Sequence, residues 1–457
     1  MINKQYEENK LSRKFLHYLV PSVAAMWVFS IYTMVDGIFV GKFVGANALA
    51  SVNISMPFIS FTFAFALLFA VGASTIISIY LGKSQKKNAD KVFSSTLVII
   101  IISSVIILFL AHFNINKLAY FLGADSTTLP SVKEYLSIIA YFNGFFMVSY
   151  YLEVLCKADG APYLSTIGVT SSALTNIVLD YIFVVKLNYG VAGAAFATGL
   201  SQVLSTIIFF SYFLSKKSKL KFTKFKFNLS ELIRTVKVGF PDSITELSAG
   251  IVILLFNQVI IRLIGENGIV AYSVISYING LVLMTMLGIS QGMQPLVSFY
   301  YGKGDRESIK KLLKLSLLTV SVSSMFAFLI SIYFSNPIVS AFLDSSNINL
   351  FNFTIKAFSI YSITFLLMGF NVLIGGFCSA LEKPKYASVI SLSRGLFIIS
   401  LSLFTMVLIF KSNGIWISTA ISEAICLIIS LTILIKKIKV FNLNVHYKEK
   451  NRPESAS

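Results

Sequence analysis

Apolar residues fill long, almost unbroken stretches of the chain, and polar residues gather in short segments between them. "STLVIIIISSVIILFLA" (Ser95 to Ala111) is one such stretch, and "GLFIISLSLFTMVLIF" (Gly395 to Phe410) lies within another. Runs of ~20 residues recur from end to end, each long enough to cross ~30 Å of hydrocarbon. The pattern predicts twelve helices, over 15–42, 48–82, 92–113, 134–158, 163–186, 190–215, 235–262, 268–302, 312–335, 352–381, 385–410 and 414–435. The predicted fold class is an all-α integral membrane protein.

Composition strengthens that reading. Of 457 residues, 56% are hydrophobic and only 13% charged, where soluble domains carry about 25% charged residues. The polar N-terminus has no signal-peptide cleavage pattern, so the first helix is expected to be retained. The net charge of +18 takes its meaning from position. Sorted by alternating side, 31 of the 38 Lys and Arg fall at the termini and even-numbered connections, and 7 at the odd-numbered ones. Positive residues stay cytoplasmic, so both termini are expected inside, and the excess is a topology signal rather than a nucleic-acid footprint. The basic segment "KKSKLKFTKFKF" (Lys216 to Phe227) reads as a cytoplasmic linker with Lys at anionic headgroups and Phe dipping into the interface.

The chain divides at this linker. The expected units are an N-terminal six-helix lobe (1–215), the linker (216–234), a C-terminal six-helix lobe (235–435) and a cytoplasmic tail (436–457). A shift of 220 residues superimposes the halves: Pro21 meets Pro241, Gly45 meets Gly265, Asn47 meets Asn267, and "GASTIISIYLGK" (Gly72 to Lys83) meets "GMQPLVSFYYGK" (Gly292 to Lys303). Six helices per half make the repeat parallel, and transporters built this way place the substrate path between the halves. Proline inside a helix loses a backbone hydrogen bond and can kink it; Pro21 is a candidate hinge or a static bend.

A charge at the bilayer centre costs at least ~2.5–3.5 kcal/mol, so buried acids are the candidate chemistry. Asp36 lies deep in the first helix, with Tyr32 one turn earlier and able to hydrogen-bond to it. Asp180 lies in "TNIVLDYIF" on the fifth helix, with Asn176 one turn back. Thr198 on the sixth adds a hydroxyl if those helices pack together. Two carboxylates, an amide and a hydroxyl can bind a hard cation or share a proton. They can equally form a hydrogen-bonded structural knot. Glu246, on the seventh helix, reads equally as a substrate or ion contact and as an interfacial charge. Glu153 has Lys157 one turn on and reads first as an ion pair. Glu423 sits mid-way in the twelfth helix, and Arg394 differs from it in depth by ~10 Å and is expected to snorkel outward. Met284, Met286 and Met293 are candidates for lining an apolar cavity. The three Cys (Cys156, Cys378, Cys426) show no paired spacing, so neither a disulfide framework nor a zinc site follows. The three His (His17, His112, His446) are far apart, and the motifs of membrane-embedded enzymes are missing. The chain is expected not to be an enzyme.

Motifs across nearly the whole chain resemble the multidrug and toxic compound extrusion (MATE) family, closest to its MepA-like and DinF-like bacterial branches. They are "YLVP" (Tyr18 to Pro21), "VDGIFVGKFVGANALASVNISMP" (Val35 to Pro57), "GASTIISIYLGK", "ADGAPY" before the fifth helix, and "TNIVLDYIF" followed by "GVAGAAFATGLSQ". The resemblance implies a V-shaped pair of lobes around a cavity of alternating access. It also implies export of cationic amphipathic drugs or toxic metabolites, driven by inward H⁺ or Na⁺, with no further cofactor. The family's cation cluster matches Asp36, Asn176, Asp180 and Thr198, where Na⁺ is a possible ligand, with its tyrosine at Tyr32 and its bending proline at Pro21. Other branches use an acid matched by Glu246. Their further aspartate on the tenth helix has no counterpart in "LLMGFNVLIGGFCSA", which favours coupling in the N-terminal lobe. The expected setting is a bacterial plasma membrane and the expected state a monomer, with lipid and small cations as partners and no nucleic acid. The rival reading is a lipid-linked oligosaccharide flippase, which usually carries a more cationic cavity than these mainly acidic mid-membrane charges provide.

Overall fold

A computed structural model describes residues 2–343 and 347–437. Among the described residues there is no strand, and twelve helices are long and apolar enough to cross a membrane. They are α1 Lys10–Val44, α2 Asn47–Gly82, α3 Lys86–Phe113, α4 Leu129–Asp159, α5 Pro162–Lys186, α6 Gly190–Leu214, α7 Leu229–Leu263, α8 Glu266–Lys303, α9 Arg306–Tyr333, α10 Ile348–Ala380, α11 Pro384–Phe410 and α12 Ser412–Lys436. Number and order agree with the sequence pattern, and the chain is a multi-pass membrane protein. Most of the expected tail, including His446, lies outside the described residues.

The basic linker departs from expectation in two ways. First, it is shorter. The Asn228 side chain accepts from the Ser230 and Glu231 amides, and Glu231 sits in the first turn. A cap and an acid there favour helix initiation, so α7 starts at Leu229 rather than 235. Second, the linker is pinned to protein. The Lys219 and Leu220 amides donate to Asp159, at 2.8 Å for Leu220. The Lys221 amide donates to Asp90 at 2.9 Å, and the Thr223 amide to Ser94 Oγ at 2.9 Å. Leu220 is buried, and the Phe222 ring lies 5.0 Å from that of Phe93. Phe222, expected to dip into the interface, packs against Phe93 of the lobe instead. Acceptors at the ends of α3 and α4 satisfy amides that lipid would leave bare.

Between membrane helices apolar burial supplies little driving force, so close approach of small residues carries more of the packing. Within the first half, Ser149 on α4 donates to Ser205 on α6 at 2.8 Å in a buried contact. One core joins α2, α3, α4 and α6 around Phe93, Tyr151 and Phe209. A second joins α8, α9, α10 and α12 around Met286, Leu312 and Phe377. The start of α1 (Leu11, Phe15, Tyr18) belongs to this second core, so α1 crosses from one half to the other.

The halves meet at the end carrying the basic loops. A Cβ on Gly239 of α7 would lie 1.8 Å from the Leu68 carbonyl oxygen of α2, and one on Gly72 would lie 2.1 Å from that of Thr235. Only glycine permits backbones this close. A polar latch lies beside them: the Tyr80 hydroxyl of α2 donates to Glu231 of α7 at 2.7 Å. Arg234 donates to the Tyr80 oxygen at 3.0 Å and grips Glu382 with Nε and Nη2. Toward the other end, Gly37, Gly250 and Gly280 have nothing within 4 Å of an added Cβ.

Candidate functional site

Four of the sequence-predicted residues converge in the first half. Asp36 on α1 faces Asp180 on α5, close enough for the carboxylates to share a hydrogen bond when one carries a proton. Asn176, one turn before Asp180, donates to Thr198 Oγ1 of α6 at 3.4 Å. Asp180 and Asn176 are fully buried. Asp36 Oδ1, Asn176 Oδ1 and both Asp180 oxygens are buried without a donor. A satisfied knot would pair these atoms, since an orphaned buried acceptor costs about 1–3 kcal/mol and a charged one more. The set is rich in acceptors and short of donors. A proton or a hard cation would supply what is missing, and these four oxygen-bearing residues are the ones that would hold it.

Helix irregularities aim the cluster. Asp180 is the last α-helical residue before a π-helical turn over Tyr181–Lys186, and α1 ends in another over Val40–Val44. Such turns are frequent at functional sites because they redirect side chains within a helix. Tyr32 corrects an expectation: it lies near Asp36 but makes no hydrogen bond to it. Its ring packs edge-on against Phe29 at 5.4 Å. Pro21 is inside α1, and its carbonyl accepts from Thr166 Oγ1 of α5 at 2.7 Å. Tyr135 of α4, buried beside Asp36 and Asp180, was missed in the sequence reading; it sits in an ordinary apolar helix with no local signal.

Between the halves lies a cavity of about 160 Å³, walled by Met26 and Phe29 of α1, Phe63 of α2, Tyr150 and Glu153 of α4, Glu246 of α7 and Met284 of α8. Drug pockets usually span ~300–1,000 Å³, so a guest of that size must extend beyond it. Asp242 joins this wall, with Oδ2 buried and unpartnered. The sequence reading missed it, although it follows Pro241 and precedes Glu246 by one helical turn. Of the three methionines, only Met284 lines the cavity. Met286 and Met293 are fully buried in the second core. Two residues turn a helix by ~200°, so Met284 and Met286 face opposite ways.

Glu153 forms the expected (i, i+4) pair with Lys157 at 3.0 Å. The pair is buried, not interfacial. Ser165 donates to Glu153 at 2.7 Å, and Lys157 donates across the halves to Gln291 of α8 at 3.0 Å. Arg394 does not snorkel outward. A π-helical turn over Ser393–Phe397 carries it, and its Nε donates to Glu423 at 2.7 Å. The side chain is long enough to bridge the offset in depth, and an uncompensated buried Glu423 would cost more than the reach. Asn371 of α10 also donates to Glu423, at 2.7 Å, and accepts from Ser430 at 2.8 Å.

Two stretches of the chain, residues 21–182 and 243–404, each match the family model described as MatE, and together they cover more than half of it. The chain belongs to the MatE family. The two MatE matches carry the repeat visible in the sequence. Among curated relatives, the chain is 24% identical over 432 residues to the multidrug export protein MepA of Staphylococcus saprophyticus. It is 25% identical over 437 residues to MepA of Staphylococcus haemolyticus. Each alignment covers 94% of both chains. The fold is similar to an outward-facing multidrug resistance MATE transporter, with a TM-score of 0.89 at 22% identity over 94% of this chain and 96% of that one. It is also similar to a MOP superfamily transporter from Pyrococcus furiosus, with a TM-score of 0.88 at 21% identity over 95% of this chain and 97% of that one.

Proposed function

We propose that this MatE chain is a multidrug efflux antiporter of a bacterial plasma membrane. In this reading it exports cationic amphipathic compounds in exchange for H⁺ or Na⁺, with both termini and the basic loops cytoplasmic. The observation that carries the reading is the orphaned acceptor cluster at Asp36 and its connection to the cavity wall. Phe29, Tyr32 and Asp36 lie on one face of α1, at spacings of three and four residues. Tyr32 touches Phe29, whose ring lies 6.2 Å from Phe63, and Phe29 and Phe63 line the cavity. A proton or cation at Asp36 biases the position of α1, and α1 carries the wall that a guest touches. Ion and drug then favour different states of one element, as exchange requires. Asp242, with Oδ2 unpartnered, and Glu246, which forms no ion pair among the described residues, line the cavity and suit a cationic guest, and the aromatic rings add cation–π attraction. Glu153, Asp242 and Glu246 outnumber Arg394 in that wall, which disfavours a flippase for anionic head groups. The names of the MepA relatives agree with export of drugs.

The test is ethidium efflux from proteoliposomes, with pH and Na⁺ gradients imposed separately, for wild type and Asp36→Asn. Efflux driven by one gradient in wild type and reduced to the protein-free rate in the variant is expected. Undiminished efflux by Asp36→Asn would sink the coupling role.

A further inference from the structure

A second and larger hollow, about 890 Å³, lies away from the transport path, between the pinned linker and α2, α3 and α7. We propose that it binds an anionic phospholipid of the leaflet on the basic side. Three cations stand at its mouth: Lys91 of α3 and Lys224 and Lys226 of the linker. Among the described residues none of them forms an ion pair with an acid. The acid in the wall, Glu231, is already engaged by Tyr80 and Arg234. Away from the lysines the wall is mixed: Val92 and Ile99 of α3 and Leu232 of α7 supply apolar surface, with the Ser95, Thr96 and Thr235 side chains between them, and Ile99 lies two turns deeper than Lys91, ~12 Å by helical rise. Cations at headgroup level, hydroxyls at the depth of a glycerol ester and Ile99 deepest on α3 match a lipid phosphate, its backbone and the start of an acyl chain. A free phosphate would use only the upper half.

The hollow is preformed. The linker backbone is fixed as far as Thr223 by Asp159, Asp90 and Ser94, and Asn228 caps α7 on the far side. Residues 224–227 therefore form a strap held at both ends. Lys91 belongs to one half and Leu232 to the other. A lipid here bridges the halves beside the Tyr80 latch and favours the arrangement closed at that end.

The test uses the full chain purified in detergent, with melting midpoint and native mass spectrometry read against added phosphatidylglycerol, phosphatidylcholine and glycerol 3-phosphate. Phosphatidylglycerol should raise the midpoint and remain bound, and phosphatidylcholine should do neither. K91Q/K224Q/K226Q should weaken phosphatidylglycerol binding on the order of 100-fold, from roughly five-fold per lysine. Ile99→Trp, which fills the deep end of the hollow and keeps the lysines, should also displace it, and stands in if the triple variant fails to fold. Equal effects of the two lipids, an unaltered response in both variants, or full stabilisation by glycerol 3-phosphate alone would overturn the assignment.

Discussion

The buried acids of this chain fall into two kinds, separable by what surrounds each oxygen. Glu153 and Glu423 have partners: a lysine and a serine for one, an arginine and an asparagine for the other. Asp36, Asp180 and Asp242 have buried oxygens with none. Paired charges hold structure, and removing one partner leaves the other stranded at a cost of about 3–5 kcal/mol. Glu423→Ala should therefore lower the melting midpoint of the purified protein by a loss of this order. Restoring an apolar pair, Glu423→Leu with Arg394→Met, should recover most of it. A single variant as stable as wild type would show that the pair contributes nothing. The orphaned acids should behave oppositely: Asp36→Asn removes a charge that lacks a donor, so it should leave stability unchanged or raised while efflux fails.

At the scale of the helix, glycine positions decide where the halves can touch. Gly239→Val places side-chain atoms where the Leu68 carbonyl stands, so α2 and α7 must part at that end. A cysteine introduced at Thr235, a residue almost wholly buried in wild type, should then react faster with an impermeant maleimide from the basic side. Unchanged labelling would mean that the contact is not what closes this end. The sequence made these elements legible because a membrane demands long apolar helices, and twelve were countable before any coordinates. Asp36, Asn176, Asp180 and Thr198 were legible for the same reason, since polar atoms stand out in such helices. Tyr135, Met286 and Met293 were not, because aromatic and methionine side chains suit lipid, core and cavity equally. The Arg394–Glu423 pair was misread because depth along a helix ignores the reach of a side chain and the presence of a π-helical turn.

At the scale of the whole molecule, the two halves are tied at one end by backbone contact and the Tyr80, Glu231 and Arg234 latch, while Gly37, Gly250 and Gly280 toward the other end have nothing within 4 Å of an added Cβ. In the proposed exchange by alternating access, the latch must break in every cycle. With Tyr80→Cys and Arg234→Cys, a short bifunctional thiol reagent across the pair should stop efflux, and the uncrosslinked double variant should still transport. Transport that survives the crosslink would exclude separation at this end.

The pinned linker gives that motion a measurable limit. From Thr223, fixed to one half, to Leu229, the first residue of α7 in the other, the chain has six peptide steps, about 20 Å when fully extended. The strap is therefore a leash of set length. The basic ends of α3 and α7 can swing apart only until it is taut, and its residue number, more than any contact along it, sets how wide that side can open.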